Sequence, residues 1–301
     1  MKPTRLWRVY RCVNKRTPDQ IADESLLLKI AIFALRLGRK CMSDYGHEYS
    51  PQRFTQAQLF ACLILREVLR TTYRGVIDRL ALMPKLREAI GLEVLPHYTT
   101  LQKFSARKDV PKIVDKCLKQ LVKSIAVPAC IEAGIDSTGF ETTGASAHFV
   151  ARSGRKRGRF VKASMIIICG LLLPAALVLS WGPGPDIVQA VPLAQKAAGV
   201  IQPVTLWGDK GYDSDDWHEF CREGWGVISY APARQCSPLG VIGGKHRWTM
   251  ADKWTGYGRR WGNETAHSTM KRTTGPSVAG RSDATMLADA AIKVLAYALR
   301  V

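Results

Sequence analysis

The stretch MIIICGLLLPAALVLSW (residues 165–181) is apolar over nearly its whole length, and it decides which fold class the chain can adopt. It follows a basic run at residues 152–162, an order that resembles a membrane span with a positive flank. It is shorter than the ~20 residues of a spanning helix, however, and Gly170 and Pro174 interrupt it. Strands that are apolar on both faces are typical of a central sheet. We therefore predict two buried strands joined by a short turn, and no membrane insertion.

Strand and helix patterns alternate on both sides of this stretch. Further strands are predicted at 131–140, 204–207 and 227–231. Helices are predicted at 186–198, 215–223, around Glu264, and at 287–299. This order predicts an α/β fold in which helices flank a mixed sheet.

The chain ahead of this region has a helical pattern. Ser25 is a suitable cap for a helix at 25–37, and Thr55 with Gln58 forms a capping-box pair that begins another. Shorter helices are predicted at 74–82, 84–90, 99–107 and 113–125, with Thr99 or Thr100 as the cap of the third. We predict three parts: a basic arm at 1–24, a helical DNA-binding or dimerisation domain at 25–126, and an α/β domain at 127–301. The helices either place one of their number in a DNA groove or only pack and dimerise.

The composition is that of a basic globular protein. The chain has 301 residues, 47% of them hydrophobic, and its 44 Lys and Arg against 25 Asp and Glu give a net charge of +19. These values exclude a disordered chain and a small disulfide-stapled one. Residues 151–200 carry seven cations against one acid, whereas residues 201–250 carry five against six. Such clustering favours nucleic acid as the partner, and a solvated basic face is the alternative.

The eight cysteines are scattered, without a C-x-x-C pair, and the chain begins with no apolar signal core. We therefore expect free thiols and a cytoplasmic location. A zinc site would have to combine side chains whose spacing matches no usual zinc pattern: His218, Cys221, Cys236 and His246.

Three acidic residues have positions that suggest chemistry. Asp136 lies in IDSTG, near the end of one predicted strand, and Asp209 in GDKGYDS directly follows another. Asp136 alone is typical of a turn, but two aspartates on strands of one sheet indicate a metal site. Glu264 lies among Arg259, Arg260, Lys271 and Arg272, and is either a salt-bridge partner or a third ligand. An oxygen-rich set favours Mg²⁺ or Mn²⁺, and two such ions ~3.5–4 Å apart activate water for phosphodiester cleavage.

The residues around Glu264 carry a family resemblance. Tyr257, Arg260, Glu264 and Lys271 have the spacing of the Tyr-(2)-Arg-(3)-Glu-(6)-Lys signature of bacterial insertion-sequence transposases of the DDE type. The segments DSTG (136–139) and GDKGYDS (208–214) resemble the two aspartate segments of that family. Residues 72–101 resemble its helical region, so the resemblance covers roughly residues 50–300.

This resemblance implies a ribonuclease H-like catalytic domain. Asp136, Asp209 and Glu264 would be the catalytic residues and would hold two Mg²⁺ ions, with Mn²⁺ as a substitute. Tyr257, Arg260 and Lys271 would bind DNA near the cut.

The implied reaction cuts double-stranded DNA at the terminal inverted repeats of an element and transfers the 3′-hydroxyl into target DNA. A homodimer is expected in the DNA complex, because the reaction brings two ends together. Two alternatives stay open: a non-catalytic DNA-binding protein, and a transposase-derived nuclease that lacks strand transfer.

The basic run ahead of the apolar stretch yields a first test. Arg155, Lys156 and Arg157 belong to six cations with no acid between them, and we expect them to contact a phosphate backbone. Their joint replacement with alanine is expected to weaken DNA binding and to flatten its dependence on salt concentration, because fewer counterions are released. Titrations at several salt concentrations measure both effects. Unchanged binding across the salt series would reject this role.

Overall fold

The structure is a computed structural model that describes residues 25–49, 51–125, 127–128, 130–142, 158–234, 242–250 and 254–301. The chain divides into two compact units. A helical unit combines the described residues up to 125 with Met270–Val301, and a sheet unit comprises Val127–Thr269. The predicted arm at 1–24 lies outside the described residues, and the predicted domain boundaries stay a prediction.

The first helices of the helical unit lie close to their predicted positions. They are α1 (Leu26–Cys41), α2 (Gln56–Val68), α3 (Tyr73–Leu82), α4 (Pro84–Ala89), α5 (Tyr98–Ser105) and α6 (Val110–Lys123). Ser25 caps α1, and the capping box of Thr55 and Gln58 begins α2, as predicted. The cap of α5 was predicted wrongly, because Nδ1 of His97 accepts the backbone N–H of Thr99 and takes the place expected of a threonine.

The sheet unit contains a five-stranded mixed sheet. Its strands are β1 (Glu132–Glu141), β2 (Phe160–Ile168), β3 (Leu173–Gly182), β4 (Thr205–Trp207) and β5 (Ile228–Tyr230). The spatial order is β3-β2-β1-β4-β5, in which β1, β2 and β3 pair antiparallel while β4 and β5 continue from β1 in parallel.

The apolar stretch forms the end of β2, a turn and most of β3, as predicted. Every residue of β2 is buried, which explains why its sequence lacks alternation. Pro174 is accommodated because β3 lies at an edge of this sheet. None of the helices in the described part of the chain is long and apolar enough to cross a membrane.

Three helices flank or follow the strands: α7 (Ala190–Ala198), α8 (Asp215–Glu219) and α9 (Trp261–Thr274). α7 packs on β2 and β3. α8 continues into a π-helical turn, Phe220–Trp225, which ends at Gly226 with a φ of 71°. The structure thus confirms a mixed sheet flanked by helices.

The last helix, α10 (Asp283–Ala298), belongs to the helical unit, where a buried ionic network joins it to α2. Arg66 contacts Glu67 and lies 2.5 Å from an Asp289 oxygen, and Nζ of Lys293 lies 2.7 Å from Glu67 Oε2. Two cations and two carboxylates therefore balance their charges inside this unit, as buried charges require.

Candidate active site

Asp136 and Asp209 are brought side by side by the pairing of β1 with β4. Gly134 of β1 pairs with Trp207, the last residue of β4. Asp136 follows Gly134 by two residues, and Asp209 follows Trp207 by two residues. The prediction that Asp136 lies near the end of its strand was wrong, because β2 pairs with β1 as far as Glu141. The aspartate lies in the middle of β1 but at the point where its other neighbour, β4, has ended.

The environment of the two aspartates favours a cation between them. Burial and, to a lesser extent, the charge of Asp209 raise the pKa of Asp136 to about 6. The N–H of Ser137, which donates to Asp136 Oδ1 at 2.8 Å, and the guanidinium of Arg260 both oppose this rise. Asp209 is fixed by its own Oδ1, which accepts the N–H of Gly211 at 2.7 Å. Two adjacent carboxylates of this kind have the oxygen donors that hard divalent ions prefer.

Arg260 lies between Asp136 and Glu264. Its Nη2 donates to Glu264 Oε1 at 2.6 Å, and its Nη1 lies 4.0 Å from Asp136 Oδ2. In the described part of the chain, no three His, Cys, Asp or Glu side chains are placed together to hold a metal ion. Glu264 was expected to be either a salt-bridge partner or a third ligand, and in this structure it is the salt-bridge partner of Arg260. The two aspartates fit a divalent cation by their donor chemistry, whereas Glu264 is engaged by Arg260.

The other predicted DNA-binding residues have different surroundings. Tyr257 packs beside a buried cluster of Trp207, Tyr230 and Met250, and the Arg260 guanidinium lies 5.9 Å from its ring centre. Burial raises the pKa of Tyr257, with a further contribution from Asp209. Lys271 follows Glu264 by seven residues on α9, in the portion that belongs to the helical unit. Three predicted contacts lie outside the described residues: Arg155, Lys156 and Arg157.

α9 and the turn before it run alongside β1 in a fixed register. Arg259 forms an ion pair with Glu132, and Nδ1 of His267 lies 3.7 Å from Asp136 Oδ2. Between these contacts, the carboxamide of Asn263 lies against Gly134, where an added Cβ would be 2.4 Å from it. Two strand residues advance about 6.7 Å and four helical residues about 6 Å, so the two periods match.

Sequence reasoning missed this register, although two signals for it exist. Residues 259, 263 and 267 are four apart and therefore share one helical face. Gly134 is the small residue that lets a helix approach the strand.

Asn263 is fully buried, and neither of its amide atoms has a hydrogen-bond partner among the described residues. Asn263 directly precedes Glu264, so the contact of Asn263 with β1 fixes where the backbone of Glu264 lies.

The opposite face of β1 supports the loop that carries Asp209. The hydroxyl of Ser137 lies 2.8 Å from that of Ser164 on β2 and 3.3 Å from the phenol oxygen of Tyr212. Tyr212 is fully buried. Because Tyr212 is only three residues after Asp209, this packing holds the loop against the centre of the sheet.

The transposase DDE domain family matches this chain over residues 134–299, which is more than half of its length. The chain belongs to this family, and the matched range contains Asp136, Asp209 and Glu264. No curated protein shows significant sequence similarity to the chain. Among solved structures, it is similar to the cryo-EM structure of the piggyBac transposase synaptic complex with hairpin DNA. That similarity has a TM-score of 0.45 at 10% identity, over 91% of this chain and 74% of the other.

The contact between β1 and α9 yields a stability test. Gly134→Ala is expected to lower the free energy of unfolding by about 1–3 kcal/mol, because the added methyl overlaps the Asn263 carboxamide. Gly170→Ala is the matched control, since a Cβ there meets nothing within 4 Å. We expect the control to stay within ~0.5 kcal/mol of the wild type in urea unfolding. Equal stability of the two variants would show that α9 does not lie on β1 at this register.

Proposed function

We propose that the protein is the DNA transposase of an insertion sequence, with a ribonuclease H-like catalytic domain. It cuts DNA at the ends of its element and transfers the 3′-hydroxyl into target DNA. The observation that carries this proposal is the β1–β4 register, which sets Asp136 beside Asp209 within the matched DDE domain. The five-stranded mixed sheet with flanking helices supports the ribonuclease H-like assignment.

Asp136, Asp209 and Glu264 are the proposed ligands of two Mg²⁺ ions, which Mn²⁺ can replace. Such ions activate a water molecule and stabilise the leaving oxygen of a phosphodiester. The protein supplies the carboxylates, and burial of Asp136 beside Asp209 gives positive charge a strong electrostatic advantage there. Glu264 joins the set when its side chain leaves Arg260.

Arg260 has a proposed second role once Glu264 is released. Its Nη1 lies 4.0 Å from Asp136 Oδ2, which supports a role beside the proposed metal site. A planar guanidinium binds two phosphate oxygens at once, which suits a DNA backbone. Tyr257, Lys271, Arg155, Lys156 and Arg157 are the further proposed DNA contacts.

The proposed partners are the terminal inverted repeats of the element and its target DNA. The net charge of +19 supports a polyanionic partner, because each neutralised phosphate releases counterions. We propose a homodimer in the DNA complex, since two element ends must be joined in one reaction.

One observation favours a second candidate function, a DNA-binding protein without catalysis. Glu264 is engaged by Arg260, and the described residues form no assembled three-ligand site. A protein in which this salt bridge persisted on DNA would bind its site and leave it uncut.

Replacement of the two aspartates distinguishes these candidates. Asp136→Asn or Asp209→Asn is expected to lower Mg²⁺-dependent nicking of duplexes carrying the element ends by about 10²-fold or more, because each removes a fixed charge from the reacting centre. DNA binding, measured by gel shift in a chelator, should be retained. Asp216→Asn is the control, because this aspartate is exposed on α8 of the same unit.

The outcomes separate the three functions. Nicking and joining that require both aspartates support the transposase. Binding without cleavage in Mg²⁺ or Mn²⁺ would establish the non-catalytic protein instead. Cleavage without joining would establish a nuclease that lacks strand transfer.

A further inference from the structure

The helical unit contains a cavity of about 830 Å³ that the proposed chemistry does not use. Its walls come from the segment before α2, from α3, and from α5 with the loop ahead of it. They combine cations and aromatic rings: Arg53, Arg74, Arg107, Tyr45, Phe54 and Tyr98. This volume lies within the ~300–1,000 Å³ range of pockets that hold a small molecule or a single cofactor.

The cavity has an excess of positive charge. Arg53 and Arg74 are exposed, and their guanidinium groups lie beside the rings of Phe54 and Tyr98. Arg107 is paired with Asp109 at 2.5 Å, and Asp78 is the acid in the lining. Residues 25–125 around the cavity carry 18 Lys and Arg against 8 Asp and Glu, a balance of +10. An anionic ligand is therefore favoured.

Flat groups line the cavity beside these charges. The Arg74 guanidinium carbon lies 4.4 Å from the Tyr98 ring centre, and its Nη2 donates to the Tyr98 oxygen at 2.8 Å. The Arg53 guanidinium lies 5.6 Å from the ring of Phe54. The rings of Tyr45, Phe54 and Tyr98 are only partly buried. Partly exposed rings beside arginines are typical of surfaces that stack nucleic-acid bases and bind their phosphates.

We propose that this cavity, the arginine–aromatic pocket, binds an unpaired nucleotide of DNA. The base stacks against these partly exposed rings, and Arg53 and Arg74 bind the flanking phosphates. A concave site of this size accepts one nucleotide, whereas a base inside a duplex has both of its faces covered by neighbouring bases. The proposal rests on the proposed function for its choice of DNA as the ligand.

Binding of a dye-labelled single-stranded oligothymidylate to the full chain tests the pocket. Fluorescence anisotropy is recorded in a chelator, so cleavage plays no part, and a blunt duplex of equal length is measured in parallel. The double variant Arg53→Ala with Arg74→Ala is expected to lose about tenfold or more in affinity for the single strand, as is Tyr98→Ala. Tyr98→Phe keeps the ring and should bind nearly as the wild type does.

The control is Arg39→Ala with Lys85→Ala, which removes two exposed charges of the same unit outside the pocket. The proposal predicts a larger loss for the pocket variants than for this control, and a larger loss on single strands than on duplex. Equal losses of affinity in the two double variants would show that only the overall positive charge matters, and would overturn the pocket. Equal losses on both DNA forms would place a duplex backbone in the pocket instead.

Failure of this proposal is distinguishable from failure of the proposed function. A wild-type protein that cuts element ends but binds no single strand would overturn the pocket and leave the transposase intact. A protein that binds single strands through the pocket but never cuts DNA would support the pocket and overturn the transposase function.

Discussion

The parallel pairing of β4 with β1 is the constraint on which the candidate site depends. Only three residue pairs define it, the last joining Gly134 to Trp207. Because β4 then ends while β1 continues, the chain after β4 is free to turn, and Asp209 emerges beside Asp136. A shift of one residue would turn one aspartate to the opposite face of the sheet. Two contacts outside the β1–β4 pair also support this register: the burial of Tyr212 and the close fit of Asn263 on Gly134.

Arg260 is the cation that lies between Asp136 and Glu264 in this structure. Its guanidinium partly neutralises Asp136 and forms a salt bridge with Glu264. In the proposed catalytic state, metal charge would take over that task, and the arginine would become available to DNA phosphate. The salt bridge is half-exposed at Glu264, whose side chain has 51% of its surface accessible. Ion pairs with this exposure contribute little stability, so exchange of partners costs little.

Local signals in the sequence predicted much of the fold. The apolar stretch at 165–181 predicted two strands because a buried sheet needs no alternation, and Ser25 and Thr55 predicted helix starts through their hydroxyl groups. The place of Asp136 within β1 was missed because strand length depends on β2, which is remote in sequence. The contact of Asn263 with Gly134 was missed because these two residues are also remote from each other in sequence. Candidate acids were recognisable from motif spacing, whereas the salt bridge between Arg260 and Glu264 depends on side-chain positions that spacing does not specify.

A crystal structure of the full chain with a cut element end and Mn²⁺ tests the central claim most directly, because manganese is located by its anomalous scattering. The account predicts manganese bound by oxygens of Asp136 and Asp209, with Glu264 released from Arg260 and turned toward the metal. Manganese bound elsewhere, or a DNA-bound centre in which Glu264 still contacts Arg260 and no ion lies between the aspartates, would contradict it.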